Sequence, residues 1–186
     1  MIVKMLLNTC KVDVNSKDEV GFTALSEAAS SGNEAIVRSL LELSNIDANT
    51  RDSSGQTPLS KAASNGRSTT VKLLLETDKV KVDAKDIYDQ IPLWFAACSG
   101  HLEVVKLLLE TGKTEVDVMD QFGRTPLFMA AKNGHLTIVR LLLETGKVDV
   151  ISMENIGRTP RSIAADCGHQ DIVDFLDDYI RSQTHS

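Results

Sequence analysis

Apolar positions recur in two helical blocks followed by a loop, and the block from Thr125 onward shows the pattern most clearly. Thr125 then Pro126 predicts a helix start, because a threonine hydroxyl accepts from an orphan N–H and proline loses nothing at the first helical position. The helix predicted over 126–132 is short, and Ala130–Ala131 permits close backbone approach. Asn133–Gly134 ends it, glycine supplying the left-handed geometry of a tight turn. A second helix is predicted over 136–144, with apolar residues at Ile138, Val139, Leu141, Leu142 and Leu143. That band is wider than one stripe, so neighbours must cover this helix on two sides. Alternating Val148 and Val150, then Met153–Gly157, predict an extended finger rather than a third helix.

The same pattern occurs five times. TALSEAASSGNEAIVRSLLE begins at Thr23, TPLSKAASNGRSTTVKLLLE at Thr57, IPLWFAACSGHLEVVKLLLE at Ile91, TPLFMAAKNGHLTIVRLLLE at Thr125 and TPRSIAADCGHQDIVDFLDD at Thr159. Each start lies 34 residues after the previous one, and IVKMLL from Ile2 aligns with IVRSLL from Ile36. The predicted organisation is one domain: a half repeat (1–17), repeats at 18–51, 52–85, 86–119 and 120–153, and a C-terminal capping repeat (154–186). All four prolines fall at one phase of the repeat and the eleven glycines at three, which leaves no irregular glycine-rich loop for catalysis. A unit of this size cannot bury its own apolar face, so the units must stack into a solenoid. Tetratricopeptide arrays share the 34-residue step, but their tryptophan, tyrosine and late proline are missing here.

Thr125–Leu143 closely matches T-P-L-x-x-A-A-x-x-G-H-x-x-V-V-x-L-L-L, and with that motif in five copies the chain resembles an ankyrin repeat protein. The phrase LLETGKVDV (Leu142–Val150) and the extra residue per repeat resemble the arrays of filamentous fungi. The resemblance implies an all-α ankyrin-repeat solenoid of helix-turn-helix units with short β-hairpin finger loops. It also implies binding of other proteins through the finger tips and the concave helix face. Several residues depart from the family pattern. Where the family has histidine after Thr-Pro-Leu, this chain has Ser26, Ser60, Trp94, Phe128 and Ser162, so that histidine's hydrogen bond is lost or replaced. Ile91 replaces the capping threonine, Asp89 a finger glycine, Ala24 the first proline, and Arg161 a core leucine. Losing a threonine cap costs about 1 kcal/mol, which burial of Trp94 is expected to offset in part.

Composition narrows the function. Net charge is −6 without basic clusters, which gives no reason to expect nucleic acid or an anionic membrane as partner. No apolar run reaches the ~18 residues of a membrane span. Three cysteines do not make a disulfide framework, so a reducing, cytoplasmic setting is expected. His101, His135 and His169 share a phase but sit one repeat apart. Stacked helices are ~8–10 Å apart and zinc–nitrogen bonds ~2 Å, so a structural role is expected, with no metal and no cofactor. Loop carboxylates such as Asp13, Asp47, Asp83, Asp117 and Asp149 suit turn formation. With no nucleophile, phosphate-loop or metal motif present, the chain is not expected to be an enzyme.

What remains is surface. Glu27, Lys61, Phe95, Met129 and Ile163 share one inward-facing phase of the first helices. The expected partner-binding residues are Ile87, Tyr88, Phe95, Cys98, Ser99, Gln121, Phe122, Arg124, Met129 and Lys132. Packing of Phe95 and Met129 between neighbouring first helices is the equal alternative. The alternative reading is a small-molecule pocket or unorthodox active site walled by Trp94, Phe95, Phe128 and Met129, or a structural or sensor arm of a larger multidomain protein. The last helix carries Asp171, Asp174, Asp177, Asp178 and Arg181, as a terminal unit requires. Ile2, Val3, Met5, Leu6 and Leu7 lack such treatment. The chain is therefore expected to act as a monomer or as part of a longer array, with either missing repeats or an unusual cap in front.

Overall fold

The computed structural model describes residues 13–184, so the apolar edge at Ile2–Leu7, Cys10 and His185 lie outside the described residues. Ten helices form five pairs among these residues: α1 Ala24–Ser31 with α2 Glu34–Leu41, α3 Pro58–Ser64 with α4 Ser68–Leu75, α5 Pro92–Ser99 with α6 Leu102–Glu110, α7 Pro126–Lys132 with α8 Leu136–Glu144, and α9 Pro160–Asp166 with α10 Gln170–Thr184. First helices pack chiefly on neighbouring first helices and second on neighbouring second, while each pair also packs internally. The result is an all-α solenoid with one continuous core that includes Leu25, Leu59, Leu93, Leu127 and Ile163.

The helix starts follow from the repeated threonine. Thr23, Thr57, Thr125 and Thr159 accept from the backbone N–H three residues on, at 3.1–3.2 Å. Serine takes over part of the missing histidine's work. The Ser26 and Ser162 hydroxyls accept from the Thr23 and Thr159 amides at 2.7 and 2.9 Å. Ile91 has no side-chain cap. Its own side chain is fully buried, which contributes about 1.5–3 kcal/mol and outweighs a cap of about 1 kcal/mol. Trp94 is buried too, although its Nε1–H has no partner.

The histidines lock the stack. The rings of His101, His135 and His169 lie 3.1–3.2 Å from the carbonyls of Ser64, Cys98 and Lys132 in the preceding repeat. Each ring seats on the preceding turn glycine: a Cβ at Gly66, Gly100 or Gly134 would meet it at 2.5–2.6 Å. At the first junction Arg67 does the same over Gly32, its Nε donating to the Ser30 carbonyl. At the far end Arg161 turns outward and makes two bonds to Asp177 of α10, at 2.5 and 2.8 Å. That explains a charge where the pattern has leucine, and it holds the Asp177 carboxyl below its usual range.

The fingers contain no strand among the described residues. Each is a tight hairpin in which the N–H of Asp18, Asp52, Asp86, Asp120 or Glu154 donates to the carbonyl four residues on. Adjacent tips are tied by single backbone bonds: Ser53 to Val20, Ile87 to Ser54, Gln121 to Tyr88 and Asn155 to Phe122, at 3.0–3.1 Å. Asp89, where other fingers have glycine, keeps the left-handed turn at φ 63°.

Candidate functional site

The fingers run in a row because the first helices that carry them stack in register. Their geometry is set by the leading acid. Oδ1 of Asp86 accepts from the amides of Tyr88 and Gln90 at 2.8 and 2.9 Å, and Oδ1 of Asp120 from those of Phe122 and Arg124 at 2.9 Å each. These bonds hold Tyr88 and Phe122 outward, exposed at 45% and 47%, with ring centroids 6.5 Å apart. Ile87 and Gln121 precede them on the same tips and are also exposed, and the Gln121 amide donates to the Ile87 carbonyl at 2.8 Å.

Arg124 is fixed rather than free. Its guanidinium lies 4.6 Å from the Phe122 centroid and 5.5 Å from Trp94. It also donates to Oδ2 of the buried Asp120 at 2.7 and 2.8 Å. Its charge is therefore spent inside the array, and what it contributes to the surface is the position of the Phe122 ring.

Phe95 and Met129 lie inside the stack, exposed at only 8% and 4%. They form part of the shared core, so of the two readings of this phase the structure takes packing. Trp94 and Phe128 are buried as well, and these four side chains do not wall an open cavity. Cys98, Ser99 and Lys132 sit at the opposite ends of α5 and α7 from the fingers. A seven-residue helix is about 10 Å long, so they do not join the aromatic pair. The Cys98 thiol is pushed up, chiefly by burial, against the opposing effects of the Asn133 amide and the Arg124 and Lys132 charges. A thiol so placed stays protonated and unreactive at neutral pH.

Other exposed apolar residues extend the row. Ile156 shares its phase with Tyr88 and Phe122, as does Val20, and Met119 and Met153 share another finger phase; all are exposed. The signal was present in the 34-residue spacing, which puts Val20, Tyr88, Phe122 and Ile156 in one file with Ser54 as its polar member. A separate cleft of about 500 Å³ lies between the 146–151 loop and α10, lined in part by Val148, Ile151, Tyr179 and Ile180. Among the described residues no group of three or more His, Cys, Asp or Glu is placed to hold a metal. Nor is any helix there long and apolar enough to cross a membrane.

A family model described as ankyrin repeats (3 copies) matches residues 1–86, 43–119 and 93–183, which together span nearly the whole chain. No curated protein matches the sequence.

Proposed function

Since the chain belongs to the ankyrin-repeat family, whose repeats generally mediate protein–protein interaction, we propose that it is a non-catalytic module that docks a protein partner on the finger row of its third and fourth repeats. The observation that carries this reading is the half-exposed Tyr88–Phe122 pair. Aromatic residues dominate interface hot spots, and here two neighbouring fingers hold them out side by side. Ile87, Gln121, Met119 and Ile156 continue the patch on both sides. Each tip is clamped by its buried acid and tied to its neighbour, so little ordering entropy is lost on binding. Phe95 and Met129 support the tips from within, and Cys98, Ser99 and Lys132 are reached only by a partner that also runs along the first helices. The free Cys98 and Cys167 fit a reducing compartment such as the cytoplasm, where the array acts alone or within a longer chain.

The test is the double variant Tyr88→Ala with Phe122→Ala. Both side chains are surface groups, so its thermal unfolding is expected to stay close to that of the wild type. Capture of the partner from cell extract is expected to fall by tenfold or more, as for two hot-spot residues worth roughly 2 kcal/mol in total. Undiminished capture by a folded double variant would refute the assignment.

A further inference from the structure

The finger acids reveal an incomplete site. In the second, fourth and fifth fingers the acid carries a cation of the array itself. Asp52 Oδ2 pairs with Lys61 at 2.7 Å, Asp120 Oδ2 with Arg124 at 2.7 Å, and Glu154 Oε1 with Arg158 at 3.0 Å. Two of these cations also lie over a ring 4.6 Å away, Lys61 over Phe22 and Arg124 over Phe122. Asp18, in the first finger, is open to water.

The third finger has the acid and the ring but no cation on that acid; its own Lys85 lies 3.9 Å from Asp89 instead. Asp86 is only 7% exposed, and its Oδ2 has no hydrogen-bond partner. One repeat-step from Arg124 the chain has Gln90, and one step from Lys61 it has Phe95, so neither position supplies a charge. Tyr88 stands where Phe122 stands in the next finger, and among the described residues no cation of the chain lies over it. A buried carboxylate oxygen left unpaired is costly, and here it sits at the base of the most exposed aromatic of its repeat.

We propose that the third finger is a receptor for one basic side chain of the bound partner, an arginine in the favoured case, which pairs with Asp86 and lies against Tyr88. The fourth finger shows the pose within the same molecule: a guanidinium held through Nε and Nη2 on the acid and lying over the ring. Arginine suits the site better than lysine because its planar fork bonds a carboxylate and stacks on an aromatic face at once. In the free array Oδ2 is buried, so the incoming cation must part the atoms over it as it seats. This inference rests on the finger row being the docking surface and adds to it the chemistry of what docks there.

The experiment uses random linear peptides displayed on phage, selected against the whole chain, with the enriched peptides then synthesised. Enriched peptides are expected to share an arginine or lysine. Replacing that arginine by neutral citrulline should weaken binding to the wild type about tenfold or more, the usual range for a buried hydrogen bond to a charged group. Gln90→Arg rebuilds the fourth finger's arrangement in the third. It should weaken the arginine peptide by a similar factor and abolish the further effect of citrulline. Asp86→Asn keeps the oxygen that clamps the turn, and it should do the same if the bulkier variant fails to fold. Peptides that lose affinity on the Tyr88→Ala, Phe122→Ala array but carry no essential basic residue, or that ignore both Gln90→Arg and Asp86→Asn, would overturn the cation site and leave the docking surface standing. Peptides indifferent to Tyr88 and Phe122, or a selection that enriches nothing, would overturn both.

Discussion

Asn15 and Asn49 each bind the loop one repeat ahead twice over. The Asn15 side chain accepts from the Asp47 amide at 2.9 Å and donates to the Asn45 carbonyl at 2.8 Å, and Asn49 does the same with Lys81 and Lys79 at 2.7 and 2.6 Å. Asp83 satisfies both oxygens, from Thr114 and Glu115. Asp117, at the same phase, accepts only from the Asp149 amide, and its Oδ1 is buried without a partner. Burial chiefly, and then the Asp149 charge, raise its carboxyl above the usual range against the pull of that amide. A raised carboxyl means that the ionised form costs the fold. The cost from this one group is therefore absent below the ordinary carboxylate range and is incurred as pH rises through its folded-state value. Asp117→Asn keeps the accepted bond, removes the charge, and offers a donor of the kind that Asn15 and Asn49 give to the carbonyl 30 residues on. We expect it to stabilise the array by about 1 kcal/mol at neutral pH, with the gain shrinking in acid. Urea unfolding at the two pH values checks this, and an equal or lower neutral stability would count against it.

The element that joins one repeat to the next is a ring seated on a glycine. At the junction between the third and fourth repeats, Gly100 has φ 79° and the His135 ring lies against its backbone. Gly100→Ala would pay for a left-handed alanine, roughly 1 kcal/mol or more, and would push the ring from the Cys98 carbonyl, a bond worth about 1 kcal/mol. The expected loss is about 2–3 kcal/mol by denaturant unfolding. His135→Ala alone should cost about 1 kcal/mol. The double variant should cost less than the two losses combined, because the residues share one contact. Strict additivity would mean that the ring does not clasp the turn. The finger is the other recurring element. Its geometry comes from one acid, and Lys61, Arg124 or Arg158 occupies the acid in three of the five copies.

At the scale of the molecule, the 34-residue spacing made the helix pairs and their stacking legible, because Thr-Pro starts, Gly turns and the Leu-rich second helices recur without a slip. Less of the candidate site could be read. Phase alone says that Phe95 and Met129 face inward, but not that neighbouring first helices close over them; that depends on how near the Ala-Ala pairs bring the backbones. From sequence Arg124 is expected only as a partner-binding residue, since nothing in the chain order shows that Asp120 is buried beneath it. Ile156 and Met119 were visible in the spacing and stand exposed with Tyr88 and Phe122. The unpaired oxygen of Asp86 needed three-dimensional comparison between fingers, because every finger begins with an acid and only packing shows which acid lacks its cation.

The central claim is that recognition happens on the finger row, and amide hydrogen exchange of the whole chain with and without its captured partner tests it most directly. The account expects slowed exchange at residues 86–90 and 120–124, where the tip amides lie, and unchanged exchange at the turns around Gly100 and Gly134 on the far ends of the first helices. Protection confined to those turns, or to the cleft beside α10, with the fingers unaffected, would contradict it.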